Sequence, residues 1–543
     1  MDNPITPALE AVQRVESYHE RTKHRLERYA AGPETLDWDA QPNPFREFSG
    51  TSRITLPFAT QAEGPGFSGC LDLPARAIDL QSIGQLLQWS FGLAAWKEYG
   101  QDRWALRCNP SSGNLHPTEA YVWCQGALGL EDGLYHYLSR DHVLEQRRSW
   151  NQDQGPSRLC IALTSIHWRE AWKYGERALR YCYLDIGHAI GALRYAALTL
   201  GWRLRLRTDV GGQQLREFLG LDRSGDFGSA ETESPELMLE IVTDPDLEPA
   251  RIPPPQSGNG WSGTANQLDA RHLYQWPIIG DTAQAAILPG LMPEPSVTEM
   301  VPAHGWNSTR IPAGRLILGR RSAQRFDRNS LLPAEDFFAI LDALLPRAAP
   351  PLDFWPWPAR IHPLLLVHRI DGLEPGLYIL PRNVSSEAFL QASLSPSFAW
   401  ASVPEAPPHM PIRCLYRGDL RKLSHLLCCH QAIAADSHFA VIFLAEYASS
   451  IRAAAYHYPL LFFEAGLLGH LLYMEAEMHG ISGTGIGCFF DDAVHDILGI
   501  VDTSFQSLYH FTVGRALVDG RIKSTSPYTA KEPDGGDIHE PAE

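Results

Sequence analysis

YCYLDIGHAIGALRYAALTLGW (residues 181–202) and LLFFEAGLLGHLLYMEAEMHGI (residues 460–481) are two versions of one pattern. A shift of 279 positions lays Asp185 on Glu464, Gly187 on Gly466 and Gly201 on Gly480. Both segments are apolar on all sides, which predicts buried helices, and each ends at a glycine that suits a left-handed cap. Two more echoes occur in the same order. Gly133-Leu134-Tyr135 matches Gly376-Leu377-Tyr378, and His116-Pro117 matches His362-Pro363. Three ordered matches indicate an internal duplication, with an insertion separating the blocks.

The length of 543 residues also exceeds what one ordinary core supports. Residues 1–50 read as a helical lead-in that ends in the turn Gln41-Pro42-Asn43-Pro44. Residues 51–245 alternate strands with amphipathic helices. Residues 246–310, with Pro253-Pro254-Pro255 and Ser257-Gly258-Asn259-Gly260, read as a connecting arm. Residues 311–522 form a second compact stretch, and 523–543 a disordered acidic tail. Acidic residues outnumber basic ones, 63 to 46, for a net charge of −17. That balance repels phosphate backbones and argues against a nucleic-acid partner. The N-terminus lacks the apolar core of a signal peptide, and no run is long enough to span a membrane, so a cytoplasmic protein is expected. The nine cysteines are scattered without a CxxC, which predicts neither a disulfide framework nor a metal site.

Four segments carry candidate chemistry. In Arg107-Cys108-Asn109-Pro110-Ser111-Ser112-Gly113-Asn114-Leu115-His116-Pro117, the hydroxyl and amide groups suit a polar ligand, and Gly113 permits close backbone approach; a helix cap is the structural alternative. Gly319-Arg320-Arg321-Ser322 suits a phosphate, or else forms a solvated basic face. Gly483-Thr484-Gly485-Ile486-Gly487 lacks the GxGxxG spacing of a dinucleotide fold. Its glycines would open backbone N–H groups to a flat ligand, or simply make a turn. Lys173-Tyr174, in HWREAWKYGER, is a candidate acid–base pair, because burial lowers a lysine and raises a tyrosine; a packed loop is the alternative. The second copy has Arg452-Ala453 there, so the fold does not require the pair.

Together these strings resemble the SagB/ThcOx branch of the nitroreductase superfamily, through RCNPSSGNLHPTEAY, WREAWKYGERALRYCYLDIGHAI, RRSAQRFD, GISGTGIGCFFDD and SLYHFTVG. The resemblance implies an α+β fold of two tandem nitroreductase-like domains, an intramolecular pseudo-dimer, with FMN between the halves. It implies that Arg107, Ser111, Ser112, Asn114 and His116 reach the flavin from the first half. Arg320, Arg321, Ser322, Thr484, Gly485, Ile486 and Gly487 would do so from the second, with Arg515 or Arg521 adding charge. Gln324 stands where many members have a basic residue. The second copy of the serine loop, Pro358-Ala359-Arg360-Ile361-His362-Pro363, lacks the serines and the asparagine, so one complete flavin site and one decayed site are expected.

Lys173-Tyr174 matches the pair of azoline dehydrogenases in that branch. This implies oxidation of a heterocyclic or peptide-derived substrate, with Lys173 or Tyr174 as base and O₂ as re-oxidant. The alternatives are an NAD(P)H-dependent nitro, quinone or flavin reductase and a flavin-free binding scaffold. The partners expected are thus a small molecule or peptide with O₂ or NAD(P)H, and no membrane.

Overall fold

The computed structural model describes residues 7–59, 64–150, 155–253, 260–291, 301–302, 305–306 and 311–528. Pro254-Pro255, Ser257-Gly258-Asn259 and the tail from 529 onward lie outside these.

Helix α1 (Pro7–Arg21) leads into a first stretch of strands: β1 (Ser52–Thr55), β2 (Leu93–Tyr99), β3 (Asp102–Arg107), β4 (Thr118–Gln125), β5 (Gly133–Leu138), β6 (Val143–Ser149) and β7 (Arg158–Ser165). Helices α2 (His167–Tyr174) and α3 (Ala178–Leu198), strand β8 (Arg203–Leu206), helix α4 (Gly212–Leu219) and strand β9 (Ser234–Val242) complete it. One sheet runs β1-β6-β5-β4-β7-β9-β8. After helix α5 (Ala313–Gly319) the plan recurs in β10 (Ile361–Val367), β11 (Gly376–Ile379), β12 (Ala401–Ser402), β13 (Arg413–Arg417) and β14 (Phe439–Glu446). Helices α6 (Tyr447–Ala453) and α7 (His457–Met478), strand β15 (Ser482–Ile486), helix α8 (Asp491–Leu498) and strand β16 (Phe505–Gly514) close it. The second sheet runs β12-β13-β11-β10-β14-β16-β15; its last six positions repeat the order of the first, and only the edge strand differs, since β1 precedes its half and β12 is inserted between β11 and β13.

Both sheets are buried on two faces, and the period-two alternation of their strands sorts side chains between cores. In β4, Ala120, Val122 and Cys124 join the central core, while Tyr121 and Trp123 pack beneath Leu215 and Phe218 of α4. In β14, Phe439, Val441 and Phe443 face the center, while Ala440, Ile442 and Leu444 pack beneath Val494 and Leu498 of α8. The central core holds α3 and α7 between the two sheets. Each buried leucine or phenylalanine there contributes roughly 1.5–3 kcal/mol.

The two long helices cross at Gly187 and Gly466. A Cβ on Gly187 would sit 2.7 Å from the Gly466 Cα, and one on Gly466 would sit 2.2 Å from the Leu184 carbonyl. The aligned glycines therefore meet each other. Because α3 is buried throughout, its polar residues must find partners. Arg180, with Arg177 just before the helix, holds Asp491 at 2.7 and 2.9 Å. Burial alone would raise the Asp491 carboxyl, but the two guanidinium groups hold it well below the usual range.

The chain ends cross over. Helix α1 packs against the second half, where Tyr18 meets the Tyr458 ring and the His24 amide donates to Asp491 at 2.9 Å. At the other end, residues 523–528 are not the disordered tail that composition suggests. Strand β17 (Lys523–Thr525) pairs with β2 of the first half. The Tyr528 hydroxyl anchors it, donating to Ser139 O and accepting from the Leu93 amide, each at 2.8 Å. A single aromatic with both hydrogen-bonding roles filled outweighs the polar composition around it. The connecting arm is also partly regular, with a strand at Thr264–Ala265 and a helix at Pro277–Ala285.

Candidate active site

A cavity of about 690 Å³ opens between the two halves, a size typical of cofactor sites. The first half supplies the serine loop. Gly113, Asn114 and His116 all have positive φ, so the loop coils tightly. The Ser111 hydroxyl accepts the His116 amide at 2.8 Å. Asn114 donates to Ala105 O at 2.8 Å. Ser112 donates its amide and its hydroxyl to Asp185 of α3, at 3.0 and 2.9 Å. Arg107 lines the cavity but donates to backbone carbonyls of Thr118 and Pro44.

The second half supplies the arginine run and the glycine segment. Arg321 caps the end of α5, donating to Leu318 O and Arg320 O at 2.7 Å, and crosses to Ala94 O at 3.1 Å. Arg320 is buried and lies over the Tyr473 ring at 4.8 Å. Its contacts to Cys108 O and Arg107 O are long, 3.3 and 3.4 Å, and among the described residues its third nitrogen has no partner. Ser322 shares a 2.8 Å hydrogen bond with the Tyr473 hydroxyl.

The glycine segment is a strand, not the open loop its composition suggests. A Cβ on Gly483 would strike Phe511, one on Gly485 the Tyr509 hydroxyl, and one on Gly487 the Tyr181 ring. The glycines make room for aromatic rings, and the Gly485 amide donates to Tyr473 at 3.1 Å. Thr484 and Ile486 line the cavity beside Gly485 and Gly487.

Tyr174 lines the cavity and packs against Gly113, where a Cβ would lie 2.5 Å from its hydroxyl. Burial raises its pKa well above the ordinary value, so it holds its proton. Lys173 is not part of the cavity lining. Its ammonium lies over the rings of Trp38 and Tyr174 at 5.5 and 5.2 Å, and burial lowers its pKa. Arg515 and Arg521 are also outside the lining; Arg521 is exposed and paired with Asp519 at 2.7 Å.

Sequence reasoning passed over Lys97, Tyr181, Asp185, His188, Tyr473, Glu477, Cys488 and Tyr509, all in the lining. Asp185 had a signal, since an acid inside an apolar helix needs a partner. His188 shares a 2.9 Å hydrogen bond with the Tyr509 hydroxyl, and burial pushes it down to about 3, so it is neutral. Burial pushes Asp185 up to about 7 against hydrogen bonds from Ser111 and Ser112, and Glu477 up to about 7 against Arg320 and Arg321.

Asp185 carries a pH prediction. Its folded value lies above the ordinary ~3.9 of an unfolded aspartate, so the folded state keeps the proton longer. The stability this gives is complete below about pH 4 and is lost as pH rises through about 7. Asp185→Asn should flatten that fall, read as melting temperature against pH; an unchanged profile would exclude Asp185 as its source.

The corresponding place in the second copy is closed. Arg360 stands where Ser112 stands in the first, and its amide donates to Glu464 at 3.1 Å. Arg194, the counterpart of Tyr473, forms a bidentate pair with Asp353 at 2.8 and 3.0 Å. The hollow beside Arg360 and Glu464 measures about 20 Å³.

Residues 386–515 match the model of the nitroreductase family. A crystal structure of a nitroreductase from Anabaena variabilis aligns over 93% of this chain and 99% of that one, at 24% identity and a TM-score of 0.68. The chain has the nitroreductase fold. A nitroreductase of Methanocaldococcus jannaschii is 24% identical over 138 residues, 23% of this chain, which spans 65% of that relative's length. An Exiguobacterium sibiricum nitroreductase solved with FMN covers 41% of this chain and 92% of its own, at 12% identity and a TM-score of 0.21. Among the described residues, no helix of this nitroreductase fold is long and apolar enough to cross a membrane.

Proposed function

We propose that this chain is an FMN-dependent oxidoreductase with one flavin per chain. Two tandem nitroreductase-like domains, residues 51–245 and 311–522, form its intramolecular pseudo-dimer. The observation that carries the reading is Arg320: a buried cation at a cavity built from both halves, with a guanidinium nitrogen that no group among the described residues satisfies. A phosphate-bearing ligand meets that need. FMN fits the remaining donors. Arg320, Arg321, Ser322 and Lys97 line the cavity together with Ser111, Ser112, Asn114 and Tyr174. Bound there, FMN supplies a two-electron hydride acceptor.

The finer reading is a SagB-type dehydrogenase acting on a heterocyclic or peptide-derived substrate. Tyr174 holds its proton and so serves as a hydrogen-bond donor or acid, which leaves Lys173 as the base. Lys173 lies outside the cavity lining, and this favors a second reading, an NAD(P)H-dependent reductase. Anaerobic stopped-flow mixing with NADPH separates the two: rapid bleaching near 450 nm supports the reductase, and its absence the dehydrogenase. Purified protein should bind one FMN per chain; two would refute the single-site reading. Tyr174→Phe should keep the flavin and lower turnover roughly 10²–10⁴-fold, the usual span for loss of a proton-transfer group. Loss of flavin would instead make Tyr174 a binding residue.

A further inference from the structure

Seven of the nine cysteines are buried, and the two that reach solvent, Cys429 and Cys488, are the two whose thiols meet. Cys488 follows the glycine strand and lines the cavity. Cys429 lies on a tight turn after α-helical Arg421–Leu427, where both it and His430 have positive φ. The two segments are tied by the Gln431 side chain, which donates to Cys488 O at 3.2 Å.

His24 completes the arrangement. The Ala30 amide donates to its Nδ1 at 2.9 Å, which leaves the ring proton on Nε2. His24 hydrogen-bonds the Cys488 sulfur through its side chain, and the Nε2–H is the donor available for it. Burial keeps His24 neutral, so it donates without carrying charge. Cys429 donates to the same sulfur, and the Arg177 guanidinium adds positive potential, though it is shared with Asp491. Tyr29, Tyr174 and Tyr181 also face the pair and hold their protons, since each is raised. The hydrogen bond from Cys429, with the one from His24, favors the thiolate at Cys488 and keeps the proton on Cys429. A thiolate beside a second accessible thiol is the arrangement of an attacking and a resolving cysteine.

We propose that Cys488, in the cavity wall, and Cys429 behind it are a redox-active thiol pair, oxidized by small disulfides. The Cys488 thiolate attacks the disulfide RS–SR, forming a mixed disulfide and releasing RS⁻. Cys429 loses its proton to water and attacks the Cys488 sulfur, forming the Cys429–Cys488 bond and releasing a second RS⁻. Two protein thiols are oxidized and one external disulfide is reduced to two thiols. The closed bond ties the Cys429 turn to the strand end that lines the cavity. None of this depends on the flavin reading.

The test uses the full-length, pre-reduced protein with oxidized glutathione, followed by acid quench, alkylation and peptide mass spectrometry. A Cys429–Cys488 cross-link is expected, with two glutathiones released per chain. Cys429→Ser should stop at a glutathione adduct on Cys488. Iodoacetamide labeling of Cys488 should change less than about threefold between pH 6 and pH 8, whereas an ordinary thiol of pKa ~8.5 changes roughly 80-fold. The wild-type cross-link and labeling profile stand even if the variant fails to fold. A steep labeling profile, a cross-link between other cysteines, or no cross-link would overturn the proposal.

Discussion

Arg320→Met should strip the flavin from the protein while making the flavin-free chain more stable. The two effects share one cause. Arg320 is buried against Tyr473 with a guanidinium nitrogen unsatisfied and, among the described residues, no ion pair. Glu477 is a weak counter-charge, because burial pushes it up to about 7. A methionine fills similar space without the desolvation cost, and such replacements stabilize by about 1–4 kcal/mol when the charge was poorly compensated. A bound phosphate reverses the balance, since truncating one partner of a buried, hydrogen-bonded charge pair costs about 2–5 kcal/mol. FMN affinity should therefore fall roughly 30- to 4,000-fold. Fluorescence titration reads the affinity, and calorimetry of the apoprotein reads the stability. Unchanged affinity would remove Arg320 from the phosphate site. A lower apoprotein melting temperature would mean that its carbonyl contacts matter more than its charge.

Gly466→Val should be the most damaging single substitution in the central core. Its Cβ would lie 2.2 Å from a backbone carbonyl on α3, which no rotamer change relieves. Overpacking usually costs 1–3 kcal/mol, and a backbone clash between two core helices belongs above that range, at about 3–5 kcal/mol. The cavity walls come from both halves, so pushing the helices apart should release flavin as well. Gly280→Ala is the control. Among the described residues nothing lies within 4 Å of its Cβ position, and alanine in that helix should stabilize by roughly 0.5–1 kcal/mol. Urea midpoints and flavin content measure both. A Gly466→Val protein as stable as the control would mean that the helices do not cross this closely.

The sequence was most informative where one residue type has one reason to be present. An apolar run with a glycine at the same place in each copy led to two core helices, and the glycines meet in the structure. The serine loop and Arg320-Arg321-Ser322 stand in one cavity. Legibility failed where a role depends on which partner a side chain meets. Arg515 and Arg521 read as added charge near a strand end, yet spacing cannot say whether a side chain turns toward the cavity or toward Asp519. The glycines of 483–487 read as open N–H donors, whereas Phe511, Tyr509 and Tyr181 explain them as room for rings. Lys97, Tyr473 and Tyr509 arrive from strands and a helix distant in the chain, so only tertiary register brings them together.

The crossed chain ends bear on how the protein is made. Helix α1 leaves the ribosome long before its partner Tyr458, as His24 does before Asp491. At ~5–20 residues per second the delay is roughly 20–90 s. Strand β2 waits longer still, because residues 523–525 are the neighbor that covers its edge. The first half is not complete until residues 523–525 have been made. During that interval an amphipathic helix and an unpaired sheet edge stay exposed together, which sets the two halves to fold as one cooperative unit.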